Sequence, residues 1–206
     1  MAKIIAVANQ KGGVGKTTTS VNLAASLVAV KRRILLIDLD PQGNATTGSG
    51  VEKNLIEFTA YDALREIELI SSVIVPTISG YDLIPSNGDL TAAEVMLLGF
   101  EQKEFRLKKC LDRVMKNYDY ILIDCPPSLN MLTVNALCAA SSVIIPMQCE
   151  YFALEGLAAL IGTIERLRKT ANPTLRIEGL IRTMFDPRNS LSNEVSNQLL
   201  ATLPEK

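Results

Sequence analysis

The stretch "NQKGGVGKTTTS", residues 9–20, decides the reading of this chain. It follows a short β-branched run, Ile4-Ile5-Ala6-Val7. It opens a helical pattern from about Lys16 to Val30, with Val21, Leu23, Ala24, Leu27 and Val28 on its apolar side. Strand, glycine-rich loop, Gly15-Lys16-Thr17 and helix, in that order, specify a phosphate-binding loop. The glycines let backbone amides turn inward around phosphate oxygens at the positive end of the helix. Lys16 is placed to reach the β- and γ-phosphates, and Thr17 to offer its hydroxyl to Mg²⁺. Yet the standard pattern G-x-x-x-x-G-K-[ST] fails, because Gln10 stands where the first glycine belongs. Lys11, five residues ahead of Lys16, precedes the glycines instead. One lysine is enough for such a loop, and this one has two.

Outward from the loop, short apolar runs alternate with longer helical patterns. Arg33–Ile37 predicts a strand ending in Asp38, and Tyr81–Pro85, Tyr120–Asp124, Ser142–Pro146 and Glu178–Arg182 predict four more. Continuous rather than alternating apolar strands imply a parallel sheet covered on both faces. Helices are expected over 151–169 and 190–202. Thr91-Ala92-Ala93-Glu94 has capping-box spacing ahead of an apolar run, and Thr59-Ala60-Tyr61-Asp62 is a weaker version. With no linker, repeat or low-complexity segment, residues 1–206 are expected to form one doubly wound α/β domain, P-loop NTPase-like, with helices on both faces of a mainly parallel sheet.

Ligands of open α/β sheets bind beyond the carboxyl ends of the strands, where two more stretches carry chemistry. In "LLIDLDPQGNATTG", residues 35–48, Asp38 ends a strand and Asp40 follows two residues on. A lone aspartate there is commonly a cap; two facing a phosphate loop read as a magnesium- and water-handling pair. In "YILIDCPPS", residues 120–128, four largely apolar residues precede Asp124, the pattern of a Walker B strand whose carboxylate holds Mg²⁺ through water.

Composition removes several alternatives. The chain has no histidine, which excludes a Ser-His-Asp triad and His-bound zinc. Its cysteines (Cys110, Cys125, Cys138, Cys149) contain no C-x-x-C pair and read as small hydrophobes. No apolar run approaches the roughly 18 residues of a membrane span. The apolar stretch Ile4–Ala8 is too brief for a signal peptide, so a cytoplasmic protein is expected. A net charge of −1 lacks the overall footprint of a nucleic-acid binder. Locally, Arg166, Arg168, Lys169, Arg176, Arg182 and Arg188 outnumber Glu165, Glu178 and Asp186.

"KGGVGKTT", "LLIDLDPQGN", "YILIDCPPS" and "TMFDPRNSLSNEV" together resemble the ParA/Soj chromosome- and plasmid-partitioning ATPases of the ParA/MinD (deviant Walker A) superfamily. The resemblance runs from residue 3 to about residue 200. It implies an ATP hydrolase with Mg²⁺ that dimerises on ATP, binds nonspecific double-stranded DNA, associates with the nucleoid and answers to a ParB-type partner, without stable membrane association. It also accounts for the second lysine: Lys11 becomes the signature lysine, which crosses the homodimer interface to phosphates bound by the other subunit. Whether that lysine serves assembly, rate or both stays open. Gly12, Gly13, Val14, Gly15, Lys16, Thr17 and Thr18 would line the phosphates. Asp40 matches the water-positioning carboxylate, Asp124 the Walker B residue, and Asp38 lies near the metal. Arg188 falls where the family carries a DNA-contacting basic residue, though it also reads as a turn arginine after Pro187.

Family chains are expected to continue past "LLATLPEK" with a final strand that contacts adenine and supplies another DNA-binding arginine, then a terminal helix. Two alternatives share the chemistry: a MinD-like membrane-surface ATPase, which needs a C-terminal amphipathic helix, and a positioning ATPase for another cargo. A nitrogenase-iron-protein-like reductase would need cysteines bridging a cluster between subunits, and Cys125 sits too close to the Walker B strand to suggest one.

Overall fold

The computed structural model describes residues 2–150 and 153–202. Seven strands form one sheet: β1 (Lys3–Val7), β2 (Ile34–Asp38), β3 (Val75–Pro76), β4 (Asp82–Ile84), β5 (Tyr120–Asp124), β6 (Ser142–Gln148) and β7 (Arg176–Thr183). Their order is β3-β4-β2-β5-β1-β6-β7. All neighbours run parallel except β3 and β4, which are antiparallel.

The centre of the sheet explains the continuous apolar strands. Every residue of β2 is buried, and so is every residue of β5 after Tyr120. Side chains on opposite faces enter two separate cores, Ile37 and Ile123 on one side, Leu36 and Leu122 on the other. Fully burying such a side chain stabilises the fold by about 1.5–3 kcal/mol, so the strands that hold the site are the hardest to displace. Strand β7, at the edge, is partly exposed along its whole length. There the ladder slips between Val143 and Ile144, so Glu178 has no register partner and its carboxylate instead meets Lys3 at 2.7 Å.

The first helix (Lys16–Ala29) differs in detail from its sequence pattern. Lys16, Ser20 and Ala24 are its buried residues, while Val21, Leu23, Leu27 and Val28 are half-buried against the second core. The N-terminal part of this buried face is polar because Ser20 donates to the Asp124 carboxylate at the end of β5, while Ala24 joins the second core. The two capping boxes also exchange standing. At Thr59 the box forms: the hydroxyl accepts from the Tyr61 amide at 3.3 Å and Asp62 accepts from the Thr59 amide at 2.8 Å. At Thr91 it does not, because a 3₁₀ turn over Gly88–Ala92, capped by Asn87, leads directly into the helix Ala93–Leu98. Glu94 is drawn away to Asn130. The expected helices are present as Ala153–Thr170 and Ser190–Thr202; positions 151 and 152 of the first lie outside the described residues.

Candidate functional site: a phosphate cleft at the strand ends

Strand order brings the three motifs together. β1 lies between β5 and β6, and β5 lies between β1 and β2, so the loop after β1 sits at the point where the chain changes direction across the sheet. Register places Asp124 beside Val7 on one side and beside Asp38 on the other. Residues 86 apart in sequence thus end neighbouring strands at one level.

Above these ends is a cleft of about 430 Å³ lined by Gly12, Gly13, Gly15, Lys16, Thr17, Thr18, Asp40, Gln42, Asn44, Pro127 and Met184. Gly13 and Gly15 have φ of 73° and 83°, the left-handed region that glycine tolerates and that turns the loop back on itself. Gly15 is the N-cap of the first helix, so the helix's unpaired N–H groups point toward the cleft. Lys16 is buried and donates to the Lys11 carbonyl at 3.0 Å. Burial draws its ammonium below the ordinary lysine range, against the pull of Asp124, Cys125 and Asp40. The Val14 side chain turns into the protein, 1% exposed, leaving only its backbone to the loop.

Asp124, fully buried, stands behind Thr17 of the cleft lining. One oxygen accepts from Thr17 Oγ1 at 2.7 Å and the other from Ser20 Oγ at 2.9 Å. Burial lifts its pKa to about 7, with the Asp38 and Asp40 charges adding and the two hydroxyls opposing. Asp38 is equally buried and rises to about 6, chiefly through loss of water. Its oxygens accept from the Asp40 amide (3.2 Å), the Thr46 amide (2.7 Å) and Thr46 Oγ1 (2.7 Å). Asp38 therefore braces the turn that carries Asp40. Ser86 completes the brace, its amide bound to Thr46 Oγ1 and its hydroxyl to the Asp40 carbonyl. Gly43, at φ 63°, closes the turn, and a Cβ there would meet the Ser86 carbonyl at 2.7 Å.

Five candidates are not in the cleft lining: Val14, Asp38 and Asp124 are buried, and Lys11 and Arg188 lie apart from it. Lys11 is half-exposed and its ammonium forms an ion pair with Glu150, just beyond β6. Arg188 is exposed and grips Asp186 with Nε and an Nη, the shortest contact 2.8 Å. Ser20, Thr46, Ser86, Gln42, Pro127 and Met184 escaped the sequence reading. Ser20 alone had a local signal, since it follows Lys16 by four residues on one helix face.

The oxygen donors fit a magnesium site: a hydroxyl of a glycine-lined cleft and the carboxylate behind it, 2.7 Å apart. When bound, the ion would neutralise and orient phosphate oxygens. Thr17 and Asp124 would hold it.

A parallel sheet, a glycine-rich loop and a helix N-terminus over a strand-end carboxylate define a P-loop nucleotide-binding domain. Residues 2–177 match the AAA domain family. The sporulation initiation inhibitor protein Soj of Bacillus subtilis is 50% identical over 200 residues, 97% of this chain and 79% of that one. An uncharacterized protein of Pseudomonas putida is 62% identical over 200 residues, with 97% and 76% covered. Among solved structures, cobyrinic acid a,c-diamide synthase from Mycobacterium smegmatis, with bound ATP analog and magnesium, superposes with a TM-score of 0.93. It is 39% identical, covering 98% of this chain and 82% of that one. The chain belongs to the ParA/Soj family of partitioning ATPases.

Proposed function

We propose that the protein is an ATP-driven switch: Mg·ATP closes a homodimer, the dimer binds nonspecific DNA, and a ParB-type partner stimulates hydrolysis and so releases it. The carrying observation is the convergence of Lys16, the Thr17–Asp124 pair and Asp40 on one glycine-lined cleft. The Mycobacterium smegmatis structure, with its ATP analog and magnesium, supports ATP and Mg²⁺ as the occupants.

In this reading the loop amides and Lys16 hold the phosphate chain. Asp40, fixed through its backbone by Asp38 and Ser86, positions the water that attacks the γ-phosphate and takes up its proton. The products are ADP and inorganic phosphate.

Lys11 supplies the link between protomers. Its pairing with Glu150 joins two partly exposed groups, worth about 0–1 kcal/mol. A charge-assisted hydrogen bond to phosphate contributes about 1.5–3 kcal/mol. The lysine therefore gains by leaving Glu150 for a partner's nucleotide, and two symmetric exchanges favour the dimer. Without them two polyphosphates would repel each other across the interface.

Arg188 provides a DNA-facing cation once it releases Asp186 or shares its remaining donors. Among the described residues no helix is long and apolar enough to cross a membrane. Co-sedimentation with duplex DNA and with anionic liposomes, each with ATP, ADP or neither, tests the reading. DNA binding that needs ATP and weakens with salt is expected; ATP-dependent pelleting with liposomes alone would replace it with a membrane-surface switch.

A further inference from the structure

The Thr183 hydroxyl, at the end of edge strand β7, donates to the carbonyl of Val14 at 2.9 Å, across 169 residues of sequence. Its methyl group lies against the loop as well, 3.3 Å from where a Cβ on Gly15 would stand. β7 reaches this point under control of β6, since Thr183 is in register with Gln148. The next residue, Met184, adopts φ 50°, unusual for a residue other than glycine, and lines the cleft.

The contact bears on the geometry of one peptide. Val14 C=O and Gly15 N–H belong to a single trans unit, in which the two groups point in opposite directions. Holding the carbonyl from outside the loop aims the Gly15 amide toward the cleft that Gly15 lines. The plane turns about ψ of Val14 and φ of Gly15; the buried Val14 side chain and the Gly15 carbonyl, which accepts from the Thr19 amide at 2.9 Å, anchor its flanks, and the Thr183 hydroxyl holds the carbonyl between them.

We propose that Thr183 is a positioning residue for the phosphate loop, its hydroxyl holding the Val14–Gly15 peptide so that the Gly15 amide faces the nucleotide's phosphates. This rests on the nucleotide-switch reading above. Because such amides cradle the α- and β-phosphates, the effect falls on ATP and ADP alike, and on binding more than on turnover.

The test is titration of wild type, Thr183→Val, Thr183→Ser and Lys16→Ala with fluorescent ATP and ADP, alongside thermal melting and steady-state hydrolysis. Valine keeps the shape and removes the donor. It should weaken both nucleotides about 3- to 10-fold, the change expected for one hydrogen bond of ordinary net strength, and raise KM while leaving kcat near wild type. Serine keeps the donor and should restore wild-type affinity. If valine fails to fold, Thr183→Ala carries the same expectation. A folded valine variant that binds like wild type would overturn the proposal, as would a serine variant as weak as valine, which would assign the effect to methyl packing. Failure of wild type itself to bind ATP would instead remove the nucleotide reading, and this proposal with it.

Discussion

The Thr17 hydroxyl and the Asp124 carboxylate lie 2.7 Å apart, joining the start of the first helix to the end of β5. Asp124 is fully buried, and the loss of water lifts its pKa to about 7, while Thr17 still faces the cleft. A carboxyl in that state is only partly ionised near neutral pH, and a bound cation favours its charged form.

Acidity therefore acts in opposite senses on the empty and the loaded protein. A carboxyl whose folded-state pKa exceeds its unfolded value adds stability below the unfolded value, and loses that contribution as pH rises through the folded value. Asp124 and Asp38, near 7 and 6 against an ordinary 3.8, place that loss between about pH 4 and 7, and its part above about pH 5 lies clear of the other carboxylates. No histidine titrates there, and Asp119, Glu178 and Asp186, held low by their cation partners, are already ionised. Without nucleotide or magnesium, the melting temperature should fall across this interval as pH rises. Asp124→Asn should flatten the curve. Mg·ATP affinity should run the other way in wild type, weakening on acidification. A pH-independent melt, or one rising with pH, would contradict the burial argument.

Asp40→Ala should leave ATP binding intact while hydrolysis drops by about 10²–10⁴-fold, the usual worth of a positioned acid–base group. The brace of Asp38, Thr46 and Ser86 grips the Asp40 backbone and its neighbours, so the turn survives the truncation. The variant should accumulate as an ATP-loaded dimer, measurable by trapping labelled nucleotide. Wild-type turnover would remove Asp40 from the chemistry.

Arg188→Ala should weaken nonspecific duplex binding by about 3- to 10-fold at low salt and reduce the salt slope by about one. Asp186→Ala should do the reverse, since it frees the guanidinium that Asp186 now occupies. Fluorescence anisotropy with a duplex of arbitrary sequence reads both. Unchanged binding in the first variant would leave Arg188 as a turn residue.

Most of the fold was legible because its signals are local. β2 and β5 read as continuous apolar runs, and the loop after β1 carries its glycines and lysines in one stretch. What escaped depends on residues distant in the chain. β3 is two residues long and exists only through its antiparallel pairing with β4. The capping spacing at Thr91 was outcompeted by a 3₁₀ turn and by the attraction of Glu94 to Asn130. Ser86 becomes part of the site only when β4 is laid beside β2, and Thr183 only when β7 is laid beside β6. The motif residues named the chemistry. Their supports were set by register, which one sequence does not display.

The most direct test concerns Lys11. Light scattering on wild type and Lys11→Ala, with Mg·ATP, Mg·ADP and no nucleotide, reads the mass of the particle in solution. Wild type should form a particle of twice the 22.4 kDa protomer with ATP and remain a monomer otherwise, while the alanine variant binds ATP yet stays monomeric. A Lys11→Ala protein that doubles its mass with ATP as wild type does would show that the second lysine is not what joins the protomers.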